Sequence, residues 1–221
     1  MKDEGERMKK SIAKKYKPYP AYVDSGVEWL GEIPEGWTIR SVWSLFDIGR
    51  GRVLSSETIF QNQGEFPVYS SQTENQGILG YVDTYDFEGE YLTWTTDGAN
   101  AGTVFIRSGK FNCTNVCGTL RLRNTDNNFR FLGIVLNIAT SWFVRHDINP
   151  KLMNNVMAGI RIPIPEKKGQ LRIVEYLDRE TTKLDALVAK VERAVDLLKE
   201  YRIALISAAV TGKIDLREKS A

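Results

Sequence analysis

Hydrophobic and polar positions alternate over short runs between about Gly51 and Arg123, the pattern of half-buried β-strands. The candidate strands are Phe66–Ser70, Gly80–Asp83, Glu90–Thr95, Gly102–Arg107 and Cys117–Arg123. The runs between them, such as SSQTENQG and TTDGANAG, are rich in Gly, Asn, Asp and Ser. These residues favour turns because they tolerate left-handed backbone or bond to their own main chain. The pattern predicts a strand-rich unit with polar loops.

A helical period follows in residues 129–145. Phe129 to Arg145 is predicted to form an amphipathic helix. Its expected apolar face consists of Phe131, Ile134, Val135, Ile138 and Trp142.

After Pro163 and Pro165 the apolar positions recur every seven residues. One row contains Leu177, Leu184, Val191, Leu198 and Leu205; the complementary row contains Ile173, Leu187, Ala194, Tyr201 and Ala208, with Glu180 as the exception. This heptad pattern predicts one helix over Gln170–Val210, about 60 Å long at ~1.5 Å per residue, with Gly212 as its stop.

A lone helix of that length cannot bury its apolar stripe, so the pattern favours pairing with a second helix. The residues expected to form a dimerisation surface are Ile173, Leu177, Leu184, Leu187, Val191, Ala194, Leu198, Tyr201 and Leu205. The alternative is that the helix folds back on its own domain.

Together these patterns predict an α+β chain in which a strand-rich domain precedes a long C-terminal coiled-coil helix. The expected boundaries are a flexible basic N-terminal arm at 1–18, the strand-rich domain at 19–165, the helix at 166–212 and a tail at 213–221.

Composition narrows the class of protein. Of 221 residues, 42% are hydrophobic and 26% charged, which is typical of a globular chain, and no apolar run approaches the ~18 residues of a membrane helix. No signal peptide is evident at the N-terminus, so we expect a soluble cytoplasmic protein. Two cysteines, Cys113 and Cys117, and a single histidine are too few for a disulfide framework or a zinc site. We expect both cysteines to be reduced and packed in or near a sheet.

The net charge of +2 is unevenly distributed. Residues 1–17 carry seven basic and three acidic side chains, residues 18–165 carry eleven and fifteen, and residues 166–221 carry twelve and ten. The central region is therefore acidic overall, whereas DNA-binding proteins usually present a basic face. Contact with DNA there would depend on local arginines or on a partner.

Three long segments resemble one protein family. They are YPAYVDSGVEWLGEIPEGWTIRSV (Tyr19–Val42), INPKLMNNVMAGIRIPIPEKKGQLRIVEYLDRETTKLDALV (Ile148–Val188) and LISAAVTGKIDLRE (Leu205–Glu218). In this order they are similar to the opening, the domain–helix junction and the helix ending of type I restriction–modification specificity subunits. The resemblance covers about residues 19–218.

The resemblance implies a non-catalytic subunit whose target recognition domain, residues 19–165, binds a specific site in double-stranded DNA. It also implies docking to adenine methyltransferase subunits and to a restriction (translocase) subunit. S-adenosylmethionine, ATP and Mg²⁺ are expected on those partners only, and this chain is expected to hold no cofactor or metal.

The usual family member has two recognition domains and two helical regions, whereas this sequence has one of each. It is therefore expected to pair with a second copy or with another half, or to be a truncated remnant. A symmetric dimer would read an interrupted, two-part site.

Base edges are read by amide, hydroxyl and guanidinium groups, and arginines flanking a glycine suit phosphate contact. The expected DNA-binding residues are Arg50, Arg52, Ser70, Ser71, Gln72, Thr73, Asn75, Gln76, Thr96, Asp97, Asn100, Asn112, Thr114, Asn115, Lys151, Asn154 and Asn155. Each also suits a turn, so its side chain could merely close a loop. Trp94, Tyr81, Tyr85 and Tyr91 are expected to fill the core.

Two other functions stay open. The chain could be a coiled-coil adaptor that holds methyltransferase subunits without reading sequence, which the acidic central region favours slightly. It could also be a nuclease or hydrolase using the neighbouring acids Asp83, Asp86, Glu88 and Glu90 on a metal, although no accompanying catalytic motif is present.

Overall fold

The computed structural model describes residues 16–145 and 149–215. Contacts divide the chain into two units, the first ending at Leu171 and the second beginning at Arg172. The predicted basic arm lies outside the described residues except for its last three positions, and residues 216–221 of the predicted tail also lie outside them.

The first unit contains twelve strands among the described residues. They are β1 Tyr22–Asp24, β2 Glu32–Pro34, β3 Thr38–Ser41, β4 Phe46–Arg50, β5 Phe66–Tyr69, β6 Ile78–Val82, β7 Phe87–Glu88, β8 Tyr91–Thr95, β9 Val104–Arg107, β10 Lys110–Cys113, β11 Cys117–Leu122 and β12 Arg161–Ile164. Its helices are α1 Val42–Leu45, α2 Ser56–Gln61, α3 Phe129–Ala139 and α4 Asn154–Gly159, and α5 Lys167–Val210 begins in this unit and continues through the second. The α+β prediction, with strands followed by a long C-terminal helix, is confirmed.

The strands form two four-stranded sheets and two short pairs. One sheet is antiparallel in the order β4–β11–β8–β9, and the other has the order β6–β5–β10–β7, in which β5 and β10 are parallel. The pairs are β1–β2 and β3–β12. Because β10 lies in one large sheet and β11 in the other, the three residues between Cys113 and Cys117 join the two sheets.

The core lies along these two sheets. In the antiparallel sheet, Gly118 lies opposite Trp94, and a Cβ atom at Gly118 would approach the indole ring to 2.1 Å. Only glycine lets the buried ring lie against β11 at this point. Beside it, Phe111, Cys113 and Cys117 form a buried cluster.

The expectation for the aromatic residues holds in part. Trp94 is buried as predicted, and Tyr91 packs partly buried against the Phe111 cluster. Tyr81 and Tyr85 are 46% and 40% exposed, so their assignment to the core was wrong. Tyr85 instead packs edge-on against Phe66, with 5.1 Å between the ring centroids.

The helix predicted over residues 129–145 is shorter, and its buried face differs from the prediction. The α-helix ends at Ala139 and a 3₁₀ turn follows at Thr140–Trp142. The buried residues are Phe131, Leu132, Gly133, Leu136 and Ala139, whereas Ile138 and Trp142 are exposed. Gly133 explains why the buried face differs from the predicted one. Because Gly133 has no side chain, it approaches Leu92 and Ile106 closely enough for α3 to pack on the sheet.

Helix α5 begins at Lys167, three residues before the predicted start, and a buried glutamine fixes this end. The Gln170 Oε1 atom accepts a hydrogen bond from the Asn128 amide at 2.7 Å. Its Nε2 group donates to Asn127 Oδ1 and to the Pro165 carbonyl oxygen, each at 2.9 Å. The first turn of α5 is therefore attached to the loop that precedes α3.

In the second unit, α5 carries its apolar residues at the surface of the single chain. Leu184, Leu187, Val191 and Leu198 are each more than half exposed. The helix ends at Val210, and Gly212 terminates it as predicted. Gly212 has a φ of +69°, and the amides of Gly212 and Lys213 donate to the carbonyl oxygens of Ala209 and Ala208. This pair of bonds is the Schellman ending that a glycine in left-handed conformation permits.

Replacing Gln170 with leucine should destabilise the first unit. Leucine keeps a similar volume but leaves the Asn128 amide and the Pro165 carbonyl without their side-chain partner in a buried place, at a cost of about 2 kcal/mol or more in unfolding free energy. Urea unfolding followed by tryptophan fluorescence measures this cost. Gln61→Leu is the matched control, because Gln61 is exposed and bonds to the Glu57 side chain, and we expect a change within about 0.5 kcal/mol. Equal effects of the two substitutions would contradict the role assigned to Gln170.

Candidate nucleic-acid interface

Five polar segments from distant parts of the sequence meet where the two large sheets join. We call residues 49–52, 70–77, 95–100, 112–116 and 149–155 the loop cluster. They are the segments in which the sequence analysis placed its candidate DNA-binding residues, and main-chain hydrogen bonds connect them.

The turn at residues 49–52 lies directly on residues 112–116. The amides of Gly51 and Arg52 donate to the carbonyl oxygens of Cys117 and Cys113, at 3.0 and 3.1 Å. Arg50 Nε donates to the Asn115 carbonyl oxygen at 2.6 Å. A Cβ atom at Gly51 would lie 2.2 Å from the Cys113 carbonyl oxygen, so this approach requires glycine.

The segment 70–77 meets residues 112–116 from the other side. The Thr114 amide donates to the Tyr69 carbonyl oxygen at 2.9 Å. The Thr114 hydroxyl also bonds to the Ser70 hydroxyl at 3.2 Å. The parallel pairing of β5 with β10 therefore continues into this loop.

The two remaining segments complete the loop cluster. The Thr96 amide donates to the Val116 carbonyl oxygen, and the Leu152 amide donates to that of Thr96, at 2.9 and 3.0 Å. Asn154 Nδ2 then donates to the Gly49 carbonyl oxygen at 3.1 Å. Residues more than 100 positions apart in sequence thus become neighbours on one surface.

The candidate residues differ in accessibility. The exposed ones are Arg50, Arg52, Thr73, Asn75, Gln76, Asn115, Lys151 and Asn155, and the half-buried ones are Ser70, Ser71, Gln72, Asp97, Asn100 and Asn154.

Three candidates, Thr96, Asn112 and Thr114, are buried, and Asn112 Nδ2 donates to the Thr84 carbonyl oxygen at 2.7 Å. In this conformation these three side chains have almost no surface to offer a base. Among them, the Thr114 hydroxyl bonds to another loop, through Ser70. The interface proposed below omits all three.

Acidic side chains partly neutralise the cations of the loop cluster. Arg52 Nε lies 2.7 Å from Asp86 Oδ2, and Lys151 Nζ lies 3.8 Å from Asp97 Oδ2. Arg50 uses its Nε group on a main-chain oxygen rather than on a carboxylate. The loop cluster therefore has three exposed cations, Arg50, Arg52 and Lys151, of which two are ion-paired.

The two cysteines, Cys113 within the loop cluster and Cys117 just after it, are free and buried as predicted. A hydrogen bond to Cys117, together with burial, raises the pKa of the Cys113 thiol, while the same hydrogen bond lowers the pKa of Cys117. The carbonyl oxygens of both residues accept the amides of the 49–52 turn. The main chain of the two cysteines therefore holds the 49–52 turn in place.

Arg107, at the end of β9, was not among the predicted site residues. Its side chain is only 4% exposed and reaches the 70–77 loop, where Nη2 donates to the Gln76 carbonyl oxygen at 2.7 Å. The sequence contains no sign of this contact, because an arginine before a Ser-Gly turn normally indicates a solvated strand end.

Within residues 16–145 and 149–215, no three His, Cys, Asp or Glu side chains are grouped so that they could hold a metal ion. Asp86, one of the acids considered for a nuclease, is paired with Arg52. No helix in the same described residues is both long enough and apolar enough to cross a bilayer.

The first unit is thus an α+β domain with a polar loop cluster at the junction of its sheets. Comparison with known families identifies the family to which it belongs. Residues 34–194 match the family model described as the type I restriction modification DNA specificity domain. The match covers well over half of the chain, so the chain belongs to this family. The resemblance predicted from the sequence is confirmed.

Relatives from Mycoplasma pneumoniae agree. A putative type I specificity subunit N-terminus is 48% identical over 133 residues, which cover 60% of this chain and 71% of that protein. The specificity subunit of the MpnII type I restriction enzyme is 39% identical over 161 residues, which cover 72% of this chain and 48% of that subunit.

Two solved structures share the fold. The S subunit of a type I restriction–modification system from M. genitalium aligns with a TM-score of 0.57 at 22% identity, over 77% of this chain and 46% of its own. The HsdS subunit from Thermoanaerobacter tengcongensis aligns with a TM-score of 0.59 at 18% identity, over 84% of this chain and 45% of its own. The chain thus spans about half the length of these two structures.

Replacing Gly51 with alanine should separate the 49–52 turn from residues 112–116. The added methyl group would meet main-chain oxygens that cannot move independently, so we expect a loss of about 1–3 kcal/mol in unfolding free energy and faster hydrogen exchange at the Arg52 amide. Gly159→Ala is the control, because that glycine ends α4 with open space around its Cα atom. An unchanged unfolding midpoint for Gly51→Ala would show that the turn is not held as described.

Proposed function

We propose that this chain recognises a specific sequence in double-stranded DNA through the loop cluster, as the reading component of a type I restriction–modification system. The observation that carries the proposal is the convergence of amide, hydroxyl and guanidinium side chains from five segments on one surface of a DNA specificity domain. Chance placement of turn residues would distribute them around both sheets.

The accessible groups suit two kinds of contact. Asn75, Gln76 and Asn100 carry amides that can donate to and accept from a base edge, as adenine requires. Arg50 and Lys151 carry charges that suit phosphate oxygens, which position a protein without reading sequence. The loop cluster therefore provides both positioning and readout groups.

The exposed apolar stripe of the second unit supports pairing of two α5 helices. Leu184, Val191 and Leu198 repeat every seven residues and are all more than half exposed in the single chain. We propose that a second copy covers this stripe and that the resulting dimer reads a two-part site.

The methyltransferase and restriction activities are assigned to partner subunits, which would bring S-adenosylmethionine, ATP and Mg²⁺. A structure solved to explain complex assembly and conformational transition of the type I restriction–modification system contains a chain with this fold. It aligns with a TM-score of 0.68 at 20% identity, over 94% of this chain and 52% of its own. For this chain we propose a non-catalytic role.

The adaptor function is the second candidate, and the pairing of Arg52 and Lys151 with carboxylates favours it. Methylation mapping in cells that express this chain with a type I adenine methyltransferase separates the two. Methyladenine at a defined sequence supports the reader, whereas an assembled complex without a methylated sequence supports the adaptor.

Substitutions in the loop cluster should separate affinity from specificity. Lys151→Gln should weaken binding to all sequences and reduce the salt dependence by about one phosphate contact. Asn100→Ala should instead reduce discrimination at one base pair by about 1–3 kcal/mol. Salt-titrated DNA binding of the assembled complex, repeated on single-base variants of the site, measures both effects.

Arg123→Gln is the control for Lys151→Gln. Arg123 is also an exposed, ion-paired cation, but it follows β11 at the end remote from the loop cluster. We expect no change in the salt dependence. If all three variants change binding equally, the loop cluster does not contact DNA in the proposed way.

A charge in the α5 stripe should disrupt the dimer. Leu198→Lys places a cation where each copy would bury a leucine side chain, and that burial stabilises the dimer by about 1.5–3 kcal/mol per copy. The dimer dissociation constant should therefore rise at least about tenfold. Glu200→Gln changes the charge by the same amount outside the stripe and should leave the mass measured by light scattering unchanged. A wild-type monomer at micromolar concentration would count against the dimer.

A further inference from the structure

The 70–77 loop contains a turn of uncommon conformation. Asn75, Gln76 and Gly77 have successive φ values of 47°, 53° and 82°. Asn75 and Gln76 are the only non-glycine residues with positive φ among those the structure describes. Side chains other than glycine disfavour this region, so contacts from the surrounding structure must maintain the turn.

Four hydrogen bonds provide those contacts. The Ser70 amide donates to the Gly77 carbonyl oxygen at 2.8 Å, and Gln72 Nε2 donates to that of Ile78 at 2.5 Å. The Ile78 amide donates to the Asn75 carbonyl oxygen. These three bonds lie within the loop and its flanks, whereas the fourth comes from Arg107 on β9, which donates to the Gln76 carbonyl oxygen.

Arg107 is held rigidly while it makes this contact. Its guanidinium carbon lies 3.6 Å from the centroid of the Tyr69 ring and 4.4 Å from that of Phe105. Its Nε group donates to the buried Thr93 hydroxyl at 3.3 Å. The turn is therefore anchored to β8 and β9 of the antiparallel sheet, whereas the loop itself follows β5 of the other sheet.

Burying a charged arginine at this position costs free energy. The contacts that only an arginine can make here therefore show what it contributes. Desolvation lowers the pKa of Arg107, and none of the ion pairs in the described part of the chain includes it. A methionine could fill the space between Tyr69 and Phe105 without burying a charge. What the guanidinium adds is the cation–π contact with the two rings and donation to Thr93 and to the Gln76 carbonyl oxygen.

We propose that Arg107 is a positioning residue that sets the sequence readout of the 70–77 loop without touching DNA. By fixing the Gln76 carbonyl oxygen, it fixes the left-handed turn and thereby the directions of the exposed Asn75 and Gln76 side chains. This inference rests on the proposed function of the loop cluster.

The test compares the wild-type chain of 221 residues with Arg107→Met and Arg107→Lys. Methionine keeps the apolar packing but cannot donate, whereas lysine keeps a charge and a donor without the planar geometry. Arg123→Met is the matched control, since it removes an exposed arginine of the same sheet region. Two measurements are made on each protein.

The first measurement is hydrogen exchange of the chain without DNA. Arg107→Met should speed exchange about tenfold or more in residues 70–78, including the Ser70 amide, while the amides of β11 keep their protection; Arg107→Lys should restore part of it. Unchanged exchange in the loop overturns the proposal. So does loss of protection throughout β8 and β11, or failure of both variants to fold, because Arg107 would then serve the whole domain.

The second measurement is sequence selection by the complex with an adenine methyltransferase, on a randomised DNA library. Arg107→Met should reduce discrimination about tenfold at the base pairs read by this loop and leave the other base pairs and the salt dependence unchanged. Unaltered selectivity despite a loosened loop, or a uniform loss at every position, overturns the proposal. A wild-type complex without sequence preference would contradict the proposed function instead, and hydrogen exchange would still decide whether Arg107 holds the turn.

Discussion

The short connection between β10 and β11 is the constraint on which the rest of the first unit depends. Within five residues, the main chain from Cys113 to Cys117 bonds to Tyr69, Gly51, Arg52 and Thr96. These partners belong to three different segments, which are the end of β5, the 49–52 turn and residues 95–100. If this connection moved, the parallel pairing of β5 with β10 and the approach of the 49–52 turn would both be lost.

Because main-chain groups make most of these bonds, the exposed side chains of the loop cluster contribute little to holding the loops together. Asn115 contributes its carbonyl oxygen to Arg50, and its side chain is exposed. Such positions can change residue type without altering the backbone beneath them. A scaffold of this kind can present different side chains on one fold.

The sequence predicted those features that local pattern determines. The strands at 66–70 and 117–123 and the long helix were predicted within a few residues, and Gly212 ends α5 by the expected mechanism. The short strands β3 and β12 were missed, because their partners lie more than 100 residues apart and each has only four residues. The buried face of α3 was predicted only in part: Phe131 is buried, but Ile138 and Trp142 are exposed. Gly133, which carries no hydrophobic signal, approaches the sheet closely and helps decide how the helix packs.

For the candidate site, too, the sequence predicted what local composition determines and missed what long-range packing determines. Composition identified the polar loops, but it could not distinguish an amide that faces solvent, such as Asn75, from one that is sealed in the core, such as Asn112. Nor could it identify Arg107, whose importance depends on three elements meeting at one guanidinium. Long-range packing, rather than residue type, separates these cases.

The burial of Arg107 has a consequence for how the interface responds to ionic strength. Mobile ions screen charges that face water, including those of Arg50 and Lys151, over a Debye length of roughly 10 Å at 0.1 M salt. They cannot enter the space between the Tyr69 and Phe105 rings, so the contact with the Gln76 carbonyl oxygen keeps its strength. In the proposed complex, rising salt would therefore weaken contacts with the phosphate backbone while the turn at residues 75–77 keeps its shape. Sequence selectivity would then persist at salt concentrations that already reduce affinity.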